Sequence, residues 1–425
     1  MIVRIARRRQ VALALTALLA AAAACQARDE APAARPGTPA TAAGARAAAP
    51  AAGAPGTAAP DAGAPAAGAP AAGTPDAGTP DAGHRAFTLV ASGDLLPHPS
   101  VSEQARFDAG GSGHDFRPML AGVQPLVSGA DLALCHLETV LGDAAAPAGR
   151  AAMSPPELAQ ALADAGYDGC STASDHSLDD GAAGLGRTLD VLDRAGLRHA
   201  GTARTEQEAR TVTILPAGTA KVAHLAYTFG VGGHPLPAGQ PWAVNPLDEG
   251  RILADAHAAR QAGADLVVAS LHWGTEGQDE PDERQLSLVR TLTAAGAGGR
   301  PGLDLILGTH TRVPQAYEKV NGTWVVYGLG NQIAGEVSDR RGAVDPRSSQ
   351  STVGRFTFTP PARPGGRWDV TRAEFVPYAF DIDAGRVVDV NTALAQGADV
   401  TGVRDRIQRV VLGRGAARDG LVMGE

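Results

Sequence analysis

Residues 252–272, ILADAHAARQAGADLVVASLH, decide the fold of this 425-residue chain. Ile252–Ala262 has an amphipathic helical pattern, and Gly263 stands where a helix end favours a left-handed residue. The run Asp265–Leu271 is apolar on both faces, as a strand covered by helices must be. It ends at His272. The stretch therefore predicts a helix followed by a buried strand that carries a potential metal ligand at its carboxyl end.

The same pattern recurs through the middle of the chain. Further helical patterns, each followed by glycine and a β-rich run, cover Glu157–Cys170, Leu185–Ala203 and Leu286–Leu307. Alternating helices and strands predict an α/β layered domain with largely parallel strands. Towards the C-terminus, three runs predict antiparallel strands that complete a second sheet, at Thr323–Tyr327, Arg355–Thr359 and Trp368–Phe380. Val403–Leu412 predicts a last helix before a polar tail.

The N-terminal part of the sequence predicts export. An arginine-rich start, the mostly apolar run Val11–Ala24 and Cys25 are typical of a secretory signal peptide at residues 1–25. Ala22–Cys25 resembles a bacterial lipobox, although alanine stands where leucine is usual. Lipidation of Cys25 is favoured over plain secretion because this cysteine directly closes the apolar run. Residues 26–85 are almost wholly Ala, Pro, Gly, Thr and Asp, which predicts a disordered tether. We expect a domain at residues 86–400, then a helix and tail at 401–425, on the outer face of the cell membrane.

Composition and missing motifs exclude several functional classes. The formal charge of −8 gives no basic footprint, so nucleic acid is not an expected partner. The sequence has no Gly-x-Ser-x-Gly nucleophile elbow and no phosphate-binding P-loop, which argues against a serine hydrolase and a nucleotide-driven ligase. After Cys25, only Cys135 and Cys170 remain. In an exported protein these two either form a disulfide or stay as buried thiols.

Five segments of the chain each end an apolar run with metal-seeking side chains. These side chains are Asp94, Glu138, Asp175, His176, His272 and His310. Ligands of α/β folds bind beyond the carboxyl ends of the strands, and carboxylates with imidazoles suit Zn²⁺, Mn²⁺ or Fe. A carboxylate such as Glu138 can bridge two metals, and paired metals suit phosphoryl transfer to water. A histidine beside a ligand, such as His176, can protonate a leaving oxygen.

The order and spacing of these segments resemble the calcineurin-like metallophosphoesterases, and more closely the bacterial capsule-synthesis CapA family. The resemblance runs from about Phe87 to Gly335. It is carried by Ala91–Leu96, Ala130–Leu132, Leu137–Thr139, Ala173–Asp179, Ser270–Gly274 with Glu276, Gly308–His310 and Tyr327–Asn331. The family implies a four-layer α/β sandwich, in which two mixed β-sheets are flanked by helices, with a metal centre at the sheet edge. It is associated with poly-γ-glutamate at the cell surface.

The resemblance also assigns roles to single residues. Asp94 would bind the first metal, Glu138 would bridge, and Asp175, His272 and His310 would complete the second site. His176 would be the general acid or a substrate-binding histidine. His98 is a further candidate ligand, His136 shares a strand face with Glu138 in a packing or supporting role, and Asp179 with Asp180 would begin the next helix. The cofactor would be one or two divalent ions of Mn, Zn or Fe.

Two positions depart from the family pattern. Asp175 stands where the family tends to have asparagine, which adds a negative charge. Arg312 replaces the second histidine of a His-x-His motif that would hold the first metal, and arginine cannot ligate because it stays protonated. We therefore expect one firmly held metal on the second site. Arg312 would lie near the vacated first site, where it offsets the charge of Asp175 and binds an anionic substrate.

These observations lead to a main interpretation and an alternative. The main one is a cell-surface capsule-synthesis protein that hydrolyses a phosphate ester or an acyl link of an anionic surface polymer. The alternative is a non-catalytic polymer-binding or assembly factor with a degraded metal site. The membrane, through a lipid anchor, and capsule-synthesis membrane proteins are the expected partners. A secreted nucleotidase is disfavoured, because nothing in the sequence resembles a base-stacking platform.

Overall fold

The computed structural model of the protein describes residues 83–142, 153–294, 296–297, 300–335, 344–363 and 365–425. The predicted signal peptide, Cys25 and all of the predicted tether except residues 83–85 lie outside these ranges. Among the described helices, none has both the length and the apolar character needed to cross a bilayer.

The helices in the described part of the chain include those that the sequence pattern predicts. The α-helices are Pro99–Asp108, Arg117–Leu120, Gln124–Ser128, Glu157–Ala165, Gly181–Arg194, Glu206–Ala209, Glu249–Gln261, Glu283–Ala294, Val390–Ala395 and Thr401–Val411. Short 3-10 helices cover Pro346–Ser349 and Ala416–Asp419. Glu157–Ala165 ends as expected, because Gly166 adopts a left-handed conformation with φ 101°.

The first of the two large sheets has nine strands among the described residues. Its strands in spatial order are Arg386–Asp389, Asp369–Asp381, Gln350–Thr359, Phe87–Leu96, Leu132–Leu137, Gly169–Ser171 and Arg198–Ala200. Asn331–Ala334 pairs with Phe87–Leu96, and Leu421–Met423 pairs with Asp369–Asp381. Phe87–Leu96 is parallel to Leu132–Leu137 and antiparallel to Gln350–Thr359, so the sheet is mixed.

The second large sheet has six strands among the described residues. Its strands in spatial order are Tyr317–Val320, Thr323–Val326, Leu305–Thr309, Leu266–His272, Ala220–Thr228 and Thr213–Ala217. The four central strands are parallel and the two outer strands are antiparallel to their neighbours. Two short strand pairs stand apart, Val140–Leu141 with Met153–Ser154 and Gly296–Ala297 with Arg300–Pro301.

The sheets and helices form four layers, and strand alternation explains how. In strand Leu266–His272, Leu266 and Val268 face a core shared with Leu89 and Leu132 of the nine-stranded sheet. Val267 and Ala269, on the opposite face, pack in a core with helix residues such as Ile252 and Val289. A third core joins the outer face of the nine-stranded sheet to helix residues such as Leu162 and Leu189. The predicted four-layer α/β sandwich of two mixed sheets flanked by helices is therefore confirmed.

The C-terminal part differs from the sequence prediction in two respects. Thr323–Val326 does not join the later strands but pairs in parallel with Leu305–Thr309 in the six-stranded sheet. The strands Gln350–Thr359 and Asp369–Asp381 extend the nine-stranded sheet instead. After the last helix, Leu421 is buried and starts a strand, so the tail is anchored to that sheet because it supplies an apolar side chain to the central core.

Cys135 and Cys170 form a disulfide bond in the structure. They lie directly opposite each other on the neighbouring parallel strands Leu132–Leu137 and Gly169–Ser171, with 4.4 Å between their Cα atoms. Of the two alternatives that the sequence leaves open, the structure therefore contains the disulfide.

Candidate metal centre

The candidate ligands come from strand ends of both large sheets. Asp94 lies near the end of Phe87–Leu96, Glu138 directly follows Leu132–Leu137, and Asp175 follows Gly169–Ser171 in the nine-stranded sheet. His272 ends Leu266–His272 and His310 directly follows Leu305–Thr309 in the six-stranded sheet. Because parallel strands share one carboxyl edge, both sheets deliver their polar side chains to the same end of the sandwich.

The structure brings all five predicted metal ligands together. One ligand atom from each of Glu138, Asp175, His272 and His310 lies within 4.8 Å of the others. A second group with the same spacing consists of Asp94, His136, Glu138 and His272. His136 therefore lies at ligand distance, which sequence reasoning left open. His98 directly precedes helix Pro99–Asp108 and belongs to neither group.

Close backbone contacts beside the ligands require glycine. A Cβ atom on Gly93 would lie 1.8 Å from the carbonyl oxygen of Gly330, which accepts a hydrogen bond from the Asp94 N–H. A Cβ atom on Gly308 would lie 1.9 Å from the carbonyl oxygen of Tyr327. Glycine one or two residues before a ligand therefore lets neighbouring strands approach each other at the centre.

The backbone after strand Leu305–Thr309 is strained. His310 has φ 86° and Arg312 has φ 64°, both in the left-handed region that non-glycine residues rarely adopt. This conformation directs the His310 N–H to the Asp94 carboxylate, at 3.2 and 3.3 Å from its two oxygens. Strain of this kind persists only where surrounding contacts hold it, and it is common at functional sites.

Burial controls the protonation of the cluster. It raises the pKa of Asp94 to about 6 and that of Glu138 well above its usual value, while the charge of Arg312 opposes both rises. It lowers the pKa of His272 to about 3 and that of His310 to about 4. The imidazoles are therefore neutral at neutral pH, which is the form that binds metal ions.

Asp175 and His272 are hydrogen-bonded to each other. His272 Nε2 lies 2.9 Å from Asp175 Oδ1. Burial alone would raise the pKa of Asp175, but the hydrogen bond and charge interactions with neighbouring histidines outweigh it and lower that pKa. Asp175 is therefore an ionised carboxylate at the rim of the cluster, with its side chain 18% exposed.

Several buried atoms of the cluster lack a hydrogen-bond partner, and this tests whether a metal fits. Among the residues that the structure describes, Glu138 Oε1, His136 Nε2 and His310 Nδ1 are buried without a hydrogen-bond partner. A buried carboxylate oxygen or ring nitrogen without a partner is costly. A divalent cation held by these groups would satisfy them, so the residues present fit a metal ion.

Arg312 lies against the predicted bridging carboxylate. Its Nη1 donates a hydrogen bond to Glu138 Oε2, and its Nε and Nη2 each lie 3.3 Å from Glu276 Oε1. The Arg312 side chain is only 6% exposed, and the Glu138 side chain is fully buried. The guanidinium is therefore hydrogen-bonded to one of the two carboxylate oxygens of Glu138. That Arg312 binds an anionic substrate stays a prediction.

His176 lies at the edge of the cluster with a carboxylate of its own. Its Nδ1 lies 2.7 Å from Asp179 Oδ2, and its Nε2 lies 3.9 Å from Asp175 Oδ1. Burial lowers the pKa of His176, but the two aspartates outweigh burial and the net shift is upward. Asp179 therefore does not serve the next helix, as the sequence suggested; that helix starts at Gly181 after Asp180.

Phe229 is a neighbour of the cluster that sequence reasoning missed. Its ring centroid lies 4.6 Å from that of His310 and 6.0 Å from that of His272, nearly parallel to the latter ring. No motif contains Phe229. The only signal in the sequence is its position directly after the apolar run that forms Ala220–Thr228, next to the strand of His272.

The four-layer fold thus carries a buried carboxylate–imidazole cluster at the carboxyl ends of its strands. The model of the family described as "Bacterial capsule synthesis protein PGA_cap" matches residues 88–336, which is more than half of the chain. The chain belongs to this capsule-synthesis family, as the resemblance in its sequence predicted.

Two relatives carry related names. The chain is 29% identical over 178 residues to "Capsule biosynthesis protein CapA" of Bacillus anthracis, covering 41% of this chain and 42% of that protein. It is 29% identical over 209 residues to "PGA biosynthesis protein CapA" of Bacillus subtilis (strain 168), covering 48% of this chain and 53% of that protein. The chain thus spans about half the length of these relatives.

Solved structures with similar folds include phosphatases. One is a novel phosphatase from Mycoplasma pneumoniae, with 14% identity and a TM-score of 0.42, covering 75% of this chain and 99% of that chain. Another is a 5′-nucleotidase precursor from Thermus thermophilus, with 15% identity and a TM-score of 0.38, covering 76% of this chain and 60% of that chain.

Proposed function

We propose that this capsule-synthesis family member is a metal-dependent hydrolase that cleaves a phosphate ester or an acyl link of an anionic surface polymer. One observation carries the proposal. Within the described part of the chain, Glu138 Oε1 and His310 Nδ1 are buried without hydrogen-bond partners in a cluster of four potential ligands, and a histidine paired with its own carboxylate lies beside them. This arrangement combines a cation site with a proton donor.

Glu138, Asp175, His272 and His310 would hold one divalent ion. When bound, the ion supplies Lewis-acid polarisation of a phosphoryl or carbonyl oxygen. Arg312 donates to Glu138 Oε2 and opposes the rise that burial causes in the pKa of Glu138, while Oε1 remains available as a ligand. Neutral His272 and His310 offer their ring nitrogens because burial lowers their pKa values.

His176 would act as the general acid. Asp179 accepts a hydrogen bond from Nδ1, so the transferable proton of the imidazolium is the one on Nε2. Because the pKa of His176 is raised, a larger fraction of its imidazole is protonated near neutral pH than in a free histidine. His176 would deliver this proton to the leaving oxygen, or to the leaving nitrogen of an acyl link.

Hydrolysis of bis(4-nitrophenyl) phosphate in the presence of Mn²⁺ tests the proposal. We expect His176→Ala to lower kcat by about 10²–10⁴-fold for diphenyl phosphate, whose poorer leaving group needs the proton, and by less for bis(4-nitrophenyl) phosphate, while the bound metal content stays unchanged. His257→Ala is the matched control, because His257 is exposed on helix Glu249–Gln261 and bonds only to Gln261 in the hydrogen bonds of the described residues. Full activity of the metal-loaded His176→Ala protein would contradict the assignment.

The contact between Arg312 and Glu138 favours a second candidate function. Because the guanidinium already occupies one carboxylate oxygen of the centre, the site also suits a polymer-binding or assembly factor without catalysis. The two candidates differ in a direct measurement. A metal-loaded protein that binds poly-γ-glutamate but cleaves neither this polymer nor a phosphodiester would support the second one.

Export and lipid anchoring are a further part of the proposal, supported by the sequence alone. The arginine-rich start, the apolar run and Cys25 favour a lipoprotein on the outer face of the membrane. Cys25→Ala should release the protein from the membrane fraction of its host. A variant that stays in the membrane fraction would contradict lipidation at Cys25.

A further inference from the structure

Phe229 covers the two imidazoles of the centre and is itself partly open to solvent. His272 and His310 are 1% and 5% exposed, whereas Phe229 is 42% exposed. The ring packs on both imidazoles, with centroid distances of 6.0 and 4.6 Å. One side of Phe229 therefore contacts the candidate ligands, and its remaining surface is open to solvent beside the centre.

Contacts with three elements of the site fix the segment that follows Phe229. The Phe229 N–H donates to the carbonyl oxygen of His272 at 3.0 Å. Gly232, with φ 63°, approaches the Asp175 carbonyl so closely that a Cβ atom would lie 2.5 Å from this oxygen. His234 Nε2 lies 3.4 Å from Asp179 Oδ1, and the other oxygen of the same carboxylate is hydrogen-bonded to His176. The position of Phe229 relative to the ligands is therefore preorganised.

Exposed apolar side chains are concentrated on this segment. Within the part of the chain that the structure describes, the exposed large hydrophobic residues are Phe107, Phe229, Leu236 and Val422. Two of these four are on the segment that borders the centre. The position of Phe229 distinguishes it from an ordinary exposed side chain, because its ring contacts two candidate ligands and still has a solvent-accessible surface. Ligand pockets commonly combine an apolar wall with a few convergent polar groups.

We propose that Phe229 contacts the substrate and selects one with an aromatic or apolar group next to its anionic centre. The ring face would pack against this group while the ligand cluster engages the phosphoryl or carboxyl group. The inference rests on the proposed function, since it places the substrate anion at the metal centre. It deepens that function by assigning a substrate class, an ester or amide whose neighbouring group is apolar rather than a small polar anion.

Binding of two non-hydrolysable phosphinates to the Mn²⁺-loaded full chain tests this inference without catalysis. Methylphenylphosphinate and dimethylphosphinate carry the same monoanionic head and differ in the ring. We expect calorimetry to show tighter binding of methylphenylphosphinate. An aromatic contact of this kind corresponds to about a twofold to tenfold preference. Phe229→Ala should lower the preference by this factor, Phe229→Tyr should keep it, and Phe107→Ala, which removes a ring exposed by 77%, should not change it.

The outcomes separate this inference from the proposed hydrolysis. A Phe229-dependent preference in a protein without hydrolytic activity would support the inference and contradict the proposed catalysis. Hydrolysis together with a preference that Phe229→Ala leaves unchanged would overturn the inference alone. Failure of both phosphinates to bind the metal-loaded protein would also overturn it. Metal content and melting temperature of each variant show whether Phe229→Ala keeps its fold and its ligands.

Discussion

Replacing Arg312 with alanine should make the protein take up a second metal ion. The guanidinium donates to the buried Glu138 and lowers the pKa of both Glu138 and Asp94 against the effect of burial. Without this positive charge, two buried carboxylates lie close together beside His136 and His272, in a group whose ligand atoms are within 4.8 Å of one another. A divalent cation is the species that such a group attracts.

The structure gives the size of the effect. The Arg312 and Glu138 side chains are 6% and 0% exposed, and removing one partner of a buried ion pair costs about 3–5 kcal/mol. The contact with Glu276 adds less than about 1 kcal/mol, because the Glu276 side chain is 57% exposed. A metal ion present at a hundred times its dissociation constant returns about 2.7 kcal/mol. Metal should therefore restore most of the stability that Arg312→Ala loses.

Metal analysis and chemical unfolding, each with and without Mn²⁺, measure these two quantities. Arg260→Ala is the matched control, since Arg260 pairs with the buried Asp304 away from the centre, with side chains 16% and 4% exposed. We expect both variants to lose stability without metal. Mn²⁺ should stabilise both through the first ion, and it should stabilise Arg312→Ala by about 2.7 kcal/mol more, because only this variant binds two ions per chain instead of one. If Arg312→Ala binds no additional metal and recovers no more than Arg260→Ala, then Arg312 does not replace an ion.

Two further predictions concern pH and packing. Burial lowers the pKa of His224 to about 4, so between pH 6.5 and 4 the unfolded chain binds a proton that the folded chain does not, and stability should fall by about 3 kcal/mol across this window. Urea titrations should show a shallower pH dependence for His224→Gln, and an unchanged one would contradict the assignment. Gly308→Ala should cost at least about 1–3 kcal/mol, because its Cβ would lie 1.9 Å from the Tyr327 oxygen. Gly186→Ala should stabilise the protein by about 0.5–1 kcal/mol, because Gly186 lies in a helix and the nearest atom would be 3.9 Å from the added Cβ. Equal melting temperatures of the Gly308→Ala and Gly186→Ala variants would refute this difference.

Much of the fold follows from local sequence patterns. The helix Glu157–Ala165 and the strand Leu266–His272 follow from amphipathic spacing, a terminal glycine and an apolar run. Which sheet a strand joins is a different matter, because it depends on partners far along the chain. Thr323–Val326 is an apolar strand in either arrangement, and its pairing with Leu305–Thr309 is set by packing that one sequence does not reveal.

The residues of the candidate site likewise fall into two groups, those that the sequence predicts and those that only tertiary contacts reveal. Asp94, Glu138, Asp175, His272 and His310 are visible in the sequence because each follows an apolar run, and strand ends of parallel sheets converge. The hydrogen bond between Asp179 and His176 was not predicted, because the turn that brings these two side chains together has no distinct sequence pattern. Phe229 was missed because a tertiary contact with two imidazoles leaves no trace in residue spacing.

The charge balance of the centre decides which substrate it suits. Four carboxylates, from Asp94, Glu138, Asp175 and Glu276, face Arg312, so one divalent ion leaves a formal charge of −1 when all four are ionised. A dianionic phosphate monoester would be repelled by such a site, whereas a monoanionic diester or an uncharged acyl link would be tolerated. The wild-type protein should therefore hydrolyse bis(4-nitrophenyl) phosphate faster than 4-nitrophenyl phosphate. With two bound ions, the centre of Arg312→Ala carries a formal charge of zero, which should reduce the difference between the two hydrolysis rates. If the wild-type protein prefers the monoester, the formal charge of −1 assigned to its centre is wrong.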